Sequence, residues 1–219
     1  MKKIKWLFFD VDDTMVDTEG EICRVVLEQF GFTCPPDVYL CPLTTGGHHA
    51  QVLREARFMV NPPLLPGTAE LFKLLPALRA NGFKIGIITH RGYHEEGETH
   101  TNNMLDQYGV RDQFDDVIVI DFNKHPDKVA FLESYLDEGE TFTLFDDRPR
   151  FDRNHPLPDN VVVFDRTWNR HFTGGQRCYN LFTFVGAMLE ARLARREKLA
   201  QIPRPKYGYN NAGLRPDES

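Results

Sequence analysis

No apolar run in the chain approaches the roughly 20 residues that a bilayer-spanning helix needs, which argues against a membrane-spanning protein. Cysteine is scarce. Cys23, Cys34, Cys41 and Cys178 form no Cys-x-x-Cys pair and show no zinc-ligand spacing, so free thiols are expected rather than a disulfide scaffold or a zinc module. Basic charge is not in excess either: 26 Lys and Arg stand against 32 Asp and Glu, a net charge of −6, and no global field favours nucleic acid. A local basic groove stays open, because net charge says nothing about patches. Internal repeats and low-complexity tracts are lacking as well. The stretch Met1–Phe9 puts lysines ahead of apolar residues, as a secretory signal does, but its apolar part, Trp6–Phe9, is four residues long and runs into acids. The expectation is a soluble, cytoplasmic globular chain, and 219 residues suit one domain, or one domain with an insertion.

What is present is a set of five short apolar runs, Trp6–Phe9, Ile85–Ile88, Val117–Ile120, Phe142–Phe145 and Val161–Phe164. They do not alternate with polar residues, the pattern of strands buried on both faces of a parallel sheet. Between them lie stripes of helical period: Leu71, Leu74, Leu75 and Leu78; Val129, Leu132 and Leu136; and the long series Leu181, Phe184, Val185, Met188, Leu189 and Leu193. The basic residues Arg192, Arg195, Arg196 and Lys198 that end the last stripe complement the negative helix terminus. Strands alternating with helices predict an α/β, Rossmann-like, doubly wound fold with a five-stranded parallel sheet. The first two runs are about 75 residues apart, far more than one crossover helix needs. Residues 18–65 are therefore predicted to be a small helical insertion after the first strand. One helix would carry Ile22, Val25, Val26 and Phe30, a second would lie around Gln51–Met59, and prolines 35, 36, 62 and 63 would bound the hinges. Residues 1–17 and 66–201 would form the core, and the Pro-, Gly- and Asn-rich stretch 202–219 a mobile tail.

Ligands of open α/β sheets bind beyond the carboxyl ends of the strands. The five runs are followed at once by Asp10, Thr89, Asp121, Asp146 and Asp165, with Asp12 and Asp13 behind the first and Asp147 behind the fourth. Carboxylates gathered there would repel one another unless a cation sat among them, and hard oxygen donors on short loops suit Mg²⁺. Thr89 offers a hydroxyl to a phosphate, and the amides of His90 and Arg91 would offer N–H groups at the start of a following helix. A lysine would neutralise both anions, with Lys124 and Lys128 as the candidates. A carboxylate nucleophile, a second carboxylate two residues on, a hydroxyl, a lysine and a distal acid pair make a set suited to phosphoryl transfer through an aspartyl-phosphate.

Phe9-Asp10-Val11-Asp12-Asp13-Thr14 resembles the first motif, Asp-x-Asp-x-Thr, of the haloacid dehalogenase (HAD) superfamily. Ile87-Ile88-Thr89 resembles the second, the lysine the third, and Leu144-Phe145-Asp146-Asp147 the fourth, in the right order over residues 4 to about 150. The resemblance implies a Rossmann-like core, Mg²⁺, and a cap inserted after the first strand. Asp10 would be the nucleophile and Asp12 the general acid–base. Asp10, the Asp12 carbonyl and an acid of the Asp146–Asp147 pair would hold the metal. Dehalogenases of the superfamily lack the second acid, so Asp12 implies phosphate chemistry, with hydrolysis the default. Lys124 fits the family's Lys-x-Pro-Asp cadence. Lys128 is preferred, because the first turn of a helix would hold it against the sheet edge.

The segment Val161–His171 and the sequence Asp146-Asp147-Arg148 resemble the corresponding parts of 5'(3')-deoxyribonucleotidases, which implies a small phosphorylated substrate, a (deoxy)nucleoside monophosphate. In that family cap aromatics hold the base. Phe30, Phe32, Tyr39 and Phe58 are the residues available here, and packing within the insertion is the reading preferred for each. Thr89-His90-Arg91-Gly92-Tyr93-His94 resembles the second-motif loop of phage-type polynucleotide 3'-phosphatases, an alternative in which Arg91 would touch a nucleic-acid backbone. Glu95, Glu96 and Glu98 beside it argue against a polyanion. A third alternative is a binding module that keeps the fold without catalysis. His48, His49, His90, His94 and His100 show no metal-ligand spacing and are expected as surface or cap-lining residues.

Overall fold

The computed structural model describes residues 5–36, 38–152 and 154–201, so the tail expected over 202–219 lies outside the described residues. The order of elements is β1 (Lys5–Phe9), α1 (Thr18–Phe30), α2 (His49–Glu55), a 3-10 turn at Arg57–Met59, α3 (Thr68–Ala80), β2 (Phe83–Thr89), α4 (Gly97–Gln107), a 3-10 turn at Arg111–Gln113, β3 (Asp116–Val119), α5 (Lys128–Tyr135), β4 (Thr141–Asp146), β5 (Leu157–Phe164), a 3-10 turn at Thr167–Asn169, β6 (Gly174–Cys178) and α6 (Leu181–Gln201). The sheet is parallel throughout, in the order β3-β2-β1-β4-β5-β6. Phe9 at the end of β1 is in register with Ile87 of β2 on one side and Phe145 of β4 on the other.

Strand side chains alternate between two cores. Leu7 and Phe9 of β1, Ile85 and Ile87 of β2 and Phe145 of β4 face Leu71, Leu75 and Leu78 of α3, Met104 and Leu105 of α4 and Val185 and Leu189 of α6. Trp6, Phe8, Ile88, Leu144, Val161 and Val163 face Val129 and Leu132 of α5. Burial on both faces is why these strands read as unbroken apolar runs. Their side chains bring about 1.5–3 kcal/mol each when fully withdrawn from water.

The sheet has six strands where five were expected. Gly174-Gly175-Gln176-Arg177-Cys178 has one apolar residue, and both glycines have positive φ, 73° and 62°. An edge strand covered on few sides needs no apolar run, so periodicity gave no sign of it. It joins β5 through its backbone, with Val162 opposite Gln176 and Phe164 opposite Cys178.

Residues of α1, α2, the turn at 57–59 and the segment joining the two helices build a third, smaller core from Ile22, Val25, Val26, Leu40, Val52, Phe58 and Met59, against which Phe30 and Phe32 pack. The helix expected around Gln51–Met59 stops at Glu55, because Ala56 turns left-handed at φ 51°. The chain leaves the sheet for this layer and rejoins it at one place: Asp17 N–H donates to Pro63 O (2.8 Å), and Leu65 N–H donates to Met15 O (2.9 Å).

Candidate active site

β1 and β4 are the neighbours at which the strand order reverses, the position where open α/β sheets form a crevice. Asp10 follows β1, with its N–H bonded to Phe145 O (2.9 Å); Asp146 ends β4, and Asp147 follows it. One oxygen from each of Asp10, Asp146 and Asp147 lies within 4.8 Å of the others, and all three residues are buried. Lys128 Nζ reaches them from α5, 2.7 Å from Asp10 Oδ1 and 2.8 Å from Asp146 Oδ2, on a side chain only 2% exposed. Its position follows from local sequence. Asp127 caps α5, accepting from the N–H groups of Val129 (2.9 Å) and Ala130 (3.0 Å), and so fixes Lys128 in the first turn.

With all three carboxyls ionised, the one ammonium would leave this cluster two negative charges in excess. Burial raises the Asp10 carboxyl to about 7, against the pull of Lys128 and with help from the Asp146 charge. It raises Asp146 despite Lys128, and raises Asp147 well above its ordinary value together with the charges of Asp10 and Asp146. Burial also opposes the charge on Lys128, but Asp10 and Asp146 outweigh it and raise the lysine above its ordinary range. An all-oxygen donor set with this excess charge fits a divalent cation such as Mg²⁺. Asp146 is committed on both oxygens, to Lys128 and to the Arg148 N–H (2.6 Å). Asp147 accepts from the Thr14 hydroxyl (3.3 Å), which in turn accepts from the Asp147 N–H (2.9 Å).

Asp12 faces elsewhere. Arg91 grips it as a fork, Nη2 to Oδ1 at 2.7 Å and Nε to Oδ2 at 2.9 Å, while Thr18 donates to Oδ1 (2.5 Å) and Thr89 to Oδ2 (3.3 Å). Burial would push this carboxyl up; the Arg91 guanidinium reverses the sign and holds it below its ordinary value. The helix expected to begin beside His90 and Arg91 begins instead at Gly97, since residues 90–96 turn back toward β3, with Gly92 N–H on Ile120 O (3.0 Å). Their amides therefore do not form a helix N-terminus. His90 instead donates from its ring to His125 O (2.8 Å), and burial, with the Lys128 charge, lowers it to about 3, so it is neutral.

Other expected residues stand apart. Lys124 is 76% exposed, 3.9 Å from Asp121, and Asp121 is occupied by the Asn123 backbone and side chain (both 2.9 Å). Asp165 is paired with Arg177 of β6 at 2.8 Å. β3 lies at the sheet edge, so its following acid cannot reach β1. Several bracing residues carried no sequence signal of that role. Asn169 is buried and donates to Asp147 O (2.9 Å) and Phe164 O (2.8 Å). Arg166 donates twice to Asp13 O (3.0 and 2.9 Å), holding Asp13 at its left-handed φ of 54°.

Above the acids a cleft of about 360 Å³ opens between the sheet and the helical layer, lined by Tyr39, Phe58, Tyr93, Phe122, Phe151 and Trp168, with Asp12 and Asp13 at its base. The Arg148 guanidinium lies 4.6 Å from the centre of the Tyr39 ring and 4.0 Å from that of Phe151, and Tyr39 meets Trp168 edge-on at 5.2 Å. Of the four aromatics expected in the insertion, Tyr39 and Phe58 reach the cleft. The other four aromatics of the wall, Tyr93, Phe122, Phe151 and Trp168, come instead from core loops. A larger cavity, about 640 Å³, lies at the opposite ends of the strands between Lys5, Thr141 and Met188, far from the acids.

Solved structures share this architecture. YfnB, a HAD-hydrolase from Bacillus subtilis bound to magnesium, superposes with a TM-score of 0.52 at 15% identity, over 86% of this chain and all of its own. The chain has the HAD fold. CbbY from Rhodobacter sphaeroides in complex with phosphate gives 0.51 at 18% identity over 85% of this chain and 99% of its own. A predicted phosphatase from Clostridium acetobutylicum gives 0.51 at 13% over 88% and 100%. No protein-family model and no curated protein matches the sequence. Among the described residues no helix is long and apolar enough to cross a membrane.

Proposed function

We propose that this HAD-fold chain is a Mg²⁺-dependent phosphomonoesterase that works through an aspartyl-phosphate on Asp10 and acts on (deoxy)nucleoside monophosphates in a reducing, cytoplasmic setting. The observation that carries the reading is Lys128, buried between Asp10 and Asp146 at the strand-order reversal and leaving an acid cluster that calls for a divalent cation. Asp10, Asp147, Asp146 and the Asp12 carbonyl are the groups that would hold it. Bound Mg²⁺ would supply charge neutralisation for the carboxylates and for the substrate phosphate.

In the first step an Asp10 oxygen bonds to phosphorus, the ester P–O bond breaks, and the departing alcohol oxygen takes a proton from Asp12, which can give one only from the minor protonated form that Arg91 disfavours. In the second, water attacks phosphorus, gives its proton to Asp12, and the electrons of the Asp10–phosphorus bond return to the carboxylate. Thr89, the amides of His90 and Arg91, and Lys128 would contact the phosphate oxygens. The helical layer acts as a cap that keeps bulk water from the acyl phosphate, and the aromatic cleft takes the base.

The second reading, a polynucleotide 3'-phosphatase, is disfavoured because Arg91, the residue it would use on a strand backbone, is wholly buried on Asp12. The test is phosphate release with Mg²⁺ from nucleoside monophosphates, ribose 5-phosphate and a 3'-phosphorylated oligonucleotide, alongside Asp10→Asn. Nucleoside monophosphates should be preferred, and Asp10→Asn should lose more than about 10³-fold of the rate. Turnover of the oligonucleotide alone would sink the nucleotide reading. An Asp10→Asn protein with a tenth of normal activity would sink the aspartyl-phosphate.

A further inference from the structure

Among the described residues, Arg91 is the largest side chain sealed completely from solvent. The loop is built to put it there. A Cβ on Gly92 would lie 2.7 Å from the Ile120 carbonyl carbon, and one on Gly97 2.0 Å from Arg91 O, so glycine at both ends lets the chain fold tightly against β3 and turn Arg91 inward. Among the described residues its one ionic partner is Asp12, whose side chain is 27% exposed, and Arg91 Nη1 is buried without a hydrogen bond to any of them. Burying a guanidinium with one nitrogen unmatched does not favour stability, so the fork needs another explanation.

The pattern on Asp12 provides one. A carboxylate has about four acceptor positions. Arg91 Nη2 and Thr18 fill two on Oδ1, at 2.7 and 2.5 Å; Arg91 Nε, which also lies 3.2 Å from Oδ1, and Thr89 fill two on Oδ2, at 2.9 and 3.3 Å. The Thr89 contact is the longest, and Thr89 is also the hydroxyl at the end of β2 that would turn to a phosphoryl oxygen. We propose that Arg91 is a positioning residue whose fork fixes the Asp12 carboxylate so that Oδ2, at the place Thr89 vacates, receives the proton of the attacking water. The proposal rests on the phosphomonoesterase reading above. In the step concerned, the water O–H bond breaks toward Oδ2, the water oxygen bonds to phosphorus, and the phosphorus–Asp10 bond breaks with its electrons returning to Asp10.

The test uses p-nitrophenyl phosphate, whose leaving group needs no proton, so that only the second step depends on Asp12. Arg91→Lys keeps the charge and loses the fork. The expected result is a burst of nitrophenolate equal to the enzyme present, followed by slow turnover, with kcat reduced about 10²-fold and kcat/KM within about threefold of wild type. Denatured samples should carry phosphate on Asp10. Equal falls in kcat and kcat/KM without a burst, or no change in either, would overturn the proposal. If Arg91→Lys does not fold, Arg91→Ala with added guanidinium ion takes its place, with restored turnover expected and no restoration counting against the role. A turnover-competent Asp10→Asn protein would instead indict the aspartyl-phosphate reading, so the two failures are distinguishable.

Discussion

Two buried cations serve the acids of this site in opposite ways. Lys128 is a point charge shared between Asp10 and Asp146, with Asp147 beside them, and all three carboxyls stand above their ordinary pKa. Arg91 is a planar fork given to one carboxylate, and Asp12 stands below its ordinary pKa. The difference teaches what each half awaits. The lysine side is under-neutralised and suited to receive a cation and a phosphate; the arginine side is already matched and is suited to holding a geometry.

Breaking the lysine side should have the largest effect. Lys128→Met would leave three buried carboxylates unopposed, with an expected loss of about 3–5 kcal/mol in urea unfolding and about 10²–10³-fold in the proposed phosphate-release rate. A variant as stable and as active as wild type would show that Lys128 is not the group that balances the acids.

The excess charge also predicts how stability follows pH. Asp10 rises from 3.8 to about 7 in the fold, so the folded state binds the extra proton between those values. Its contribution to metal-free stability is fully present below the unfolded value and is lost as pH climbs through about 7. Asp146 and Asp147 shift in the same direction. Mg²⁺ competes with those protons. It should raise the melting temperature by several degrees at about pH 8 and hardly at all near pH 5, as followed by thermal melts with and without EDTA. Equal shifts at both values would place the ion elsewhere.

The smallest effect sharpens the comparison. Lys124→Ala should alter stability by less than about 0.5 kcal/mol, and the proposed phosphate-release rate by less than about twofold, since its side chain is 76% exposed and its ammonium group lies 3.9 Å from Asp121. Loss of turnover in that variant would transfer the lysine's role from 128 to 124.

Much of this was legible from residues, for identifiable reasons. Five strands announced themselves because burial on two faces demands apolar side chains, and the acids that follow four of them, with Thr89 after the other, mark the strand ends. β6 did not, because Gly174–Cys178 contributes backbone rather than apolar surface. Asp10, Asp146, Asp147 and Lys128 meet because β1 and β4 are adjacent, whereas Asp121 and Asp165 are carried off by β3 and by Arg177. Spacing could not show that Arg91 turns inward, because two glycines five residues apart signal a tight loop without saying which side chain it buries. Nor could it show Trp168 and Phe151 walling the cleft, because the loops bearing them converge only once β4 and β5 pair.

The place where Asp17 meets Pro63 and Leu65 meets Met15 has a consequence for how this architecture can change over generations. A segment that departs and returns at a single point imposes no distance on the sheet it interrupts, so its length is invisible to the strands on either side. The sheet then keeps its acids while the interposed helices are lengthened, shortened or exchanged outright. The acids at the strand ends can accordingly be inherited unchanged while the helices vary, even though one continuous chain encodes both.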